Sequence, residues 1–298
     1  MARRSLVHLI DGPIYVFRAY YSMPPMTAPD GTPTNAAYGF ANTLIKYLAE
    51  TDATHAAVAF DFSGECFRNA LEPEYKAQRG ETPEDLAPQF DLCTQIARAL
   101  GLAVFEKEDY EADDLLATLA DRLVAKGASI RIVTSDKDLA QVVREDGRIV
   151  TYDLARDELR DAAGVREKFG VDPDQIPDYL GLIGDSVDNL PGVPGVGPKS
   201  ASAALRAFGR IEHISADPLD WADVGVRGAA RVASLIDAHR ERALRTRDLA
   251  NVCRNVPDTH ATLSSLRYRG AEPTVVETLF DDLGWQRIAE RIPRWSKR

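Results

Sequence analysis

The chain has 298 residues, 45% of them hydrophobic and 28% charged, which is a globular composition and excludes a disordered or fibrous chain. No apolar run approaches the ~18 residues of a membrane span, and the apolar stretch 6–10 stops at Asp11, too short for a secretory signal. The net charge of −10 argues against nucleic acid only if the acids are spread evenly, because the distribution of charge matters more than its sum.

The first half alternates between two patterns. Short apolar runs at 5–10, 55–60, 102–105, 129–133 and 148–152 end in polar residues and read as buried parallel strands. Helical spacing fills the intervals at 36–48, 86–100 and 110–124, which predicts an α/β fold with crossover connections. Residues 63–83 lack periodicity, and connections of that length are often functional. Beyond about residue 164 strand-like runs disappear. Helical stretches follow at 201–208, 229–246 and 275–283, predicting an all-helical second domain. The expected division is 1–165 and 166–298. Three scattered cysteines, Cys66, Cys93 and Cys253, with no CxxC pair, suggest neither a disulfide framework nor a zinc site and fit a reducing, cytoplasmic setting.

The acids carry the functional signal. Asp11, Asp61 and Asp136 each stand at or just past the end of a predicted strand, where open α/β sheets form their sites. Taken singly, each reads more readily as a turn or cap residue; three in one half weaken that reading. Glu111, Asp113 and Asp114 crowd the start of a helix. One or two acids there are explained by the helix dipole, but a third adds repulsion that a divalent cation would relieve. Asp136 and Asp138 are spaced by two, and Asp185 and Asp188 by three. Hard oxygen donors without nearby histidine suit Mg²⁺ or Mn²⁺. Nine acids exceed one ion's needs and suit two or more, the arrangement used for in-line hydrolysis of phosphodiesters. Those nine also account for all but one unit of the net charge.

Directly after the last acid pair, Gly192, Gly195 and Gly197 precede Pro198 and Lys199. A glycine turn feeding a helix start offers backbone N–H groups to an anion, with Lys199 adding charge. A plain helix connector is the alternative. Neither a dinucleotide fingerprint nor a Walker loop fits, since no strand precedes the glycines.

The stretches 7–12, 33–40, 60–61, 75–79, 110–114, 135–139, 184–192 and 195–201 resemble, in order and spacing, the bacterial 5′→3′ exonuclease and flap endonuclease family, including the 5′-nuclease domain of DNA polymerase I. The resemblance implies a PIN-like domain with a mostly parallel sheet. A helix–hairpin–helix module of the variety with an extra helix would follow, its motif around 185–208, acting on DNA with 5′ ends, flaps or nicks. It implies two metal groups, Asp11, Asp61, Glu111 and Asp113 in the first and Asp114, Asp136, Asp138, Asp185 and Asp188 nearer the second. It further implies K⁺ at the glycine hairpin and an arch around 63–90. In that arch Lys76 and Arg79 would act on the scissile phosphate and Tyr75 would stack on a base, while Arg18 would contact DNA near the first acid. The arch carries three basic residues against six acidic ones. The chain is expected to act as a monomer, with a DNA polymerase and a ligase as separate partners. A PIN-type ribonuclease and a non-catalytic junction binder are the competing readings.

Overall fold

The computed structural model describes residues 4–62 and 65–297. Six strands make one sheet: β1 (Leu6–Asp11), β2 (His55–Ala59), β3 (Ala103–Phe105), β4 (Ser129–Val133), β5 (Ile149–Asp153) and β6 (Glu158–Arg160), in the order β3-β2-β1-β4-β5-β6. The first five run parallel, as their continuous apolar runs require; β6, which has no apolar run to announce it, turns back antiparallel on β5. β1 lies centrally, with Leu9 registered against Ala57 on one side and Ile132 on the other. The chain leaves β1 toward β2 and later returns to β1's far side as β4, so the crevice between β1 and β4 is a topological switch point.

Helices α1 (Gly12–Ser22), α2 (Asn35–Glu50), α3 (Phe67–Leu71), α4 (Ala87–Ala99) and α5 (Ala112–Ala125) accompany the sheet. Side chains of a strand alternate between its faces. Ile10 and Val58 accordingly join Phe40, Leu44 and Ile96 in one core, whereas Val7 and Leu9 join Leu115, Leu119 and Leu123 in the other.

The later chain forms α6 (Ala162–Phe169), α7 (Ile176–Ile183), a two-stranded hairpin of β7 (Gly184–Asp185) and β8 (Leu190–Pro191), then α8 (Pro198–Phe208), α9 (Ala229–Ala238), α10 (Arg240–Ala250), α11 (Pro273–Asp282) and α12 (Gln286–Ala289). The hairpin interrupts the expected all-helical run. The single helix expected at 229–246 is two, because His239 leaves helical geometry (φ −118°, ψ 17°) and Arg240 is drawn to the carbonyls of Ile211 and Ile214.

The expected second unit, 166–298, is not one packing unit. Val165, Ile176, Leu180, Leu205, Trp221 and Ile236 build a separate helical core. Beyond α10 the chain returns to the sheet domain: Val252, Val256 and Leu266 enter the α5 core, and Val276, Phe280, Trp285 and Ile288 enter the α2–α4 core. Leu266 also accepts a backbone hydrogen bond from Ala56 on β2 (2.9 Å). The stripe of α11 thus covers apolar surface left by α2 and α4, a pairing no local pattern specifies.

Part of the stretch expected as an arch is docked on the rest of the chain. Arg68 and Tyr75 are buried, and Lys76 N–H donates to the Asp188 carbonyl (3.0 Å). The Asn189 amide donates to the Glu74 carbonyl (2.7 Å). Residues 80–82 and 84–85 are all exposed, and residues 63 and 64 lie outside the described residues. Among the described residues no helix is long and apolar enough to cross a membrane, and the three cysteines are free.

Candidate active site

The carboxyl ends of the parallel strands bring the first acids together. Asp11 is the last residue of β1, Asp61 follows β2 and Asp136 follows β4. Thr134 joins two of them: its hydroxyl donates to Asp11 Oδ2 (2.7 Å) and accepts from the Asp136 N–H (2.9 Å). Asp61 Oδ1 accepts from the N–H of Ala112 (2.7 Å), the first residue of α5, which sets it beside Glu111 and Asp113. Asp136 Oδ1 accepts from the Asp138 N–H (2.8 Å).

These groups feel one another. Burial pushes the Asp11 carboxyl up to about 7; the Thr134 hydrogen bond opposes it, and the charges of Asp136 and Asp61 add to the rise. Burial and then Asp136 likewise raise Asp138 to about 8. Asp113 is raised well above the carboxylate range by burial, Asp136 and Asp11. Asp61 is also raised, because protein crowds its carboxyl, although the residue reaches solvent, and because Glu111 lies beside it. Glu111 goes the other way: burial pushes it up, but Lys76 and Arg68 outweigh burial and hold it below its ordinary value.

A second group spans the two cores. Asp138, Asp185 and Asp188 each offer one oxygen, and these oxygens lie within 4.8 Å of one another. Asp185 ends β7 and Asp188 lies in the turn of the hairpin, so the helical region supplies two of the three acids of this group. Asp138 Oδ1 is buried and has no hydrogen-bond partner. A carboxylate oxygen in that position is an unmet donor to a hard cation, so the residues fit Mg²⁺ or a similar ion.

Basic side chains line the same space. Lys76 Nζ contacts Glu111 and lies 3.7 Å from Asp188. Arg79 pairs with Asp188, and Lys137 pairs with Asp185 and sits 3.5 Å from Asp138. A cleft of 380 Å³ opens between Asp61, Glu111, Lys76, Arg79, Cys66 and Asn69. It combines acids able to hold cations with cations able to meet a phosphate.

Two expectations need correction. Asp114 does not face the other acids. Its carboxylate is fully buried and takes a bidentate pair from Arg68 (2.8 and 2.9 Å). It also accepts the N–H groups of Cys253 (2.6 Å) and Glu111 (3.2 Å), so its lone pairs are used and it is a structural residue. Tyr75 is 4% exposed, its ring lies in the helical core, and its hydroxyl shares its one proton between Glu111 (3.0 Å) and Asp188 (3.3 Å), leaving no free face for a base.

The glycines divide by cause. At Gly192 a Cβ would stand 2.3 Å from the Ile183 carbonyl carbon, so this glycine is required by hairpin packing. Gly195 adopts φ +82°, and Gly197, the residue before α8, has open space around it. Lys199 is exposed on the first turn of α8. Arg18 is exposed on α1, in a surface cleft shared with Ser135 and Arg156, on the side of the acids. Three residues at the site had no assigned part: Thr134, Lys137 and Arg68. Lys137 is flanked by two of the acids in sequence, which is a signal; Arg68 sits in the aperiodic stretch and gives none.

Residues 6–170 match the family model described as the 5'-3' exonuclease N-terminal resolvase-like domain, and residues 171–274 match the 5'-3' exonuclease C-terminal SAM fold. The chain is similar to DNA polymerase I of Bacillus caldotenax, 37% identical over 97% of this chain and 32% of the relative. It is similar also to DNA polymerase I of Mycobacterium tuberculosis, 37% identical over 95% of this chain and 31% of the relative. It therefore spans about a third of the length of these relatives. Among solved structures, a zinc-bound T5 5'-exonuclease shares the fold with a TM-score of 0.66 at 20% identity, covering 97% of this chain and 100% of that one. The catalytic core of Rad2 in complex with DNA substrate does so with a TM-score of 0.64 at 16% identity, covering 97% of this chain and 91% of that one.

Proposed function

Because this chain belongs to the 5'-3' exonuclease family, carrying its N-terminal and C-terminal domains in order, we propose that it is a metal-dependent, structure-selective 5′→3′ exonuclease and 5′-flap endonuclease acting on DNA. The observation that carries this reading is that acids from five chain segments lie close enough to share backbone and hydroxyl hydrogen bonds and to feel one another's charge, with Asp138 Oδ1 buried and without a hydrogen-bond partner among them. Asp11, Asp61, Glu111 and Asp113 would hold one Mg²⁺ or Mn²⁺ and Asp138, Asp185 and Asp188 another; Asp136, expected nearer the second ion, is tied to Asp11 through Thr134 and would serve the first. Such ions, when bound, lower the pKa of a water and neutralise charge on the reacting phosphate.

The chain's own residues then have separate tasks. Thr134 fixes the carboxylates of Asp11 and Asp136 relative to each other. Lys76 and Arg79, at the mouth of the cleft, meet the phosphodiester and stabilise charge that grows as the bond breaks. The turn at Gly195 and Gly197 with Lys199 holds a duplex by its backbone, which positions without reading sequence. Arg18 adds a phosphate contact beside the acids. DNA with 5′ ends, flaps or nicks is the substrate, K⁺ at the glycine turn is part of the same reading, and DNA polymerase and ligase act before and after it.

A labelled 5′-flap DNA, the matching RNA and a blunt duplex, each with Mg²⁺ and with chelator, test this. Cleavage of the flap only with metal, lost in Asp61→Ala while DNA binding persists, is the expected result. Cleavage in excess chelator, or preferential cleavage of the RNA, overturns it.

A further inference from the structure

Lys137 stands between Asp136 and Asp138, reaches across the boundary between the two cores, and bonds Asp185 on the hairpin. The Asp185 oxygens are not equivalent. Oδ1 accepts the Val187 N–H (2.9 Å), which closes the hairpin turn, so Oδ2 is the oxygen left to offer, and Lys137 occupies it. The same ammonium is 3.5 Å from Asp138 Oδ1, the buried oxygen that lacks a hydrogen-bond partner. Lys137 is about one-third exposed and has solvent within reach, yet its head turns inward.

We propose that Lys137 is a built-in counter-ion for the Asp138–Asp185–Asp188 group, which draws the acids of the two cores together and keeps their affinity for a divalent cation low. The inference rests on reading these acids as an ion site. An ion taking Asp185 Oδ2 and Asp138 Oδ1 must displace the ammonium or sit against it. Repulsion between a unit charge and a dication about 4 Å apart corresponds, even at the dielectric constant of water, to about thirtyfold in affinity (~2 kcal/mol). Removing the ammonium also leaves Asp185 unpaired when no ion is bound, which shifts the balance further toward the ion. A DNA phosphate is the other group able to take Lys137. Once it does, Asp185 Oδ2 is released, so ion binding and DNA binding favour each other reciprocally. Lys137 is thus a positioning residue whose effect is read in metal affinity.

The test is Mn²⁺ binding to the full chain without DNA, followed by calorimetry and by electron paramagnetic resonance. Wild type, Lys137→Met, Lys137→Arg and Asp188→Asn are compared. Wild type is expected to show a tighter and a weaker class of Mn²⁺, with the weaker class absent in Asp188→Asn. Lys137→Met tightens the weaker class by about tenfold or more and moves the tighter class less; Lys137→Arg stays near wild type. Lys137→Met also melts below wild type in chelator, and saturating Mn²⁺ closes that gap, including the case in which the variant folds only with the ion. An unchanged or weakened second class in Lys137→Met, or a melting deficit that Mn²⁺ leaves in place, overturns the inference while the ion site stands. Wild type that binds no Mn²⁺, or Asp188→Asn that retains both classes, overturns the ion site and the inference with it.

Discussion

Replacing Arg68 by Met separates the structural acid from the metal-site acids. Arg68 is 2% exposed, and its guanidinium donates to Asp114 twice, to Glu111 (3.0 Å), and to the carbonyls of Leu249 (2.8 Å) and Asn251 (2.9 Å). It therefore ties α3 to α5 and to the end of α10. Without it, Asp114 is a buried charge with only two backbone N–H donors. Breaking a buried pair from one side costs about 3–5 kcal/mol, because the remaining charge is uncompensated. The two carbonyls left unpaired add about 1 kcal/mol or more each. A loss of roughly 5 kcal/mol is a third or more of a typical domain's stability. Urea unfolding of the full chain reads it by tryptophan fluorescence, since Trp221 lies in the helical core and Trp285 in the sheet-domain core. Both signals should shift to lower urea. Arg68→Met/Asp114→Leu should recover most of the loss, because an apolar pair of similar volume replaces a buried ion pair at little cost. Arg68→Met within about 1 kcal/mol of wild type, or Asp114→Asn abolishing Mn²⁺ binding in a chain that still folds, would refute the structural role of Asp114.

The acids of the crevice make stability depend on pH in a sense opposite to that of paired surface carboxylates. Asp11 and Asp138 are raised to about 7 and about 8, above an unfolded value of about 3.9, so the folded state binds protons more tightly. In chelator the melting temperature should fall as pH rises from about 4 toward 8, and added Mg²⁺ should raise it more at pH 8 than at pH 5; a flat profile that also ignores metal would sink the cluster. Asp113→Asn should melt above wild type in chelator and gain less from Mg²⁺, because it removes one of the repelling charges. Lys76→Ala should lower kcat by about 10²–10³ with little change in DNA affinity, as expected for a group whose contact strengthens in the transition state; a rise in KM alone would make Lys76 a binding residue. Gly192→Ala should destabilise the hairpin, since its Cβ meets Ile183 at 2.3 Å, whereas Gly197→Ala should fold normally and weaken binding to all duplexes alike. Equal stability of the two variants would contradict that division.

The strand-end acids were legible before any coordinates, because a parallel strand buried on both faces must stop at a polar residue, and strands running the same way stop at the same edge. That rule puts Asp11, Asp61 and Asp136 at one edge of the sheet, and the strand order, with β1 between β2 and β4, brings them to one crevice. Composition and periodicity likewise gave the five parallel strands and the helices between them. The direction of individual charges was not legible. Asp113 and Asp114 are neighbours on α5, about 100° apart around its axis, so one carboxylate meets the crevice and the other looks elsewhere. Which one depends on Arg68, 46 residues away. Tyr75 reads as an accessible aromatic in an irregular stretch, and it is buried because that stretch docks on a hairpin more than a hundred residues later. Residues 252–297 continue the helical composition yet belong to the sheet domain's cores. The apolar periodicity of α11 states that it must bury one face, but only the uncovered surface of α2 and α4, formed early in the chain, decides where. Local pattern thus determined which residues carry charge and which face is apolar. The tertiary structure decided which charges neutralise one another, because electrostatic partners are chosen by distance in space and not by distance along the chain.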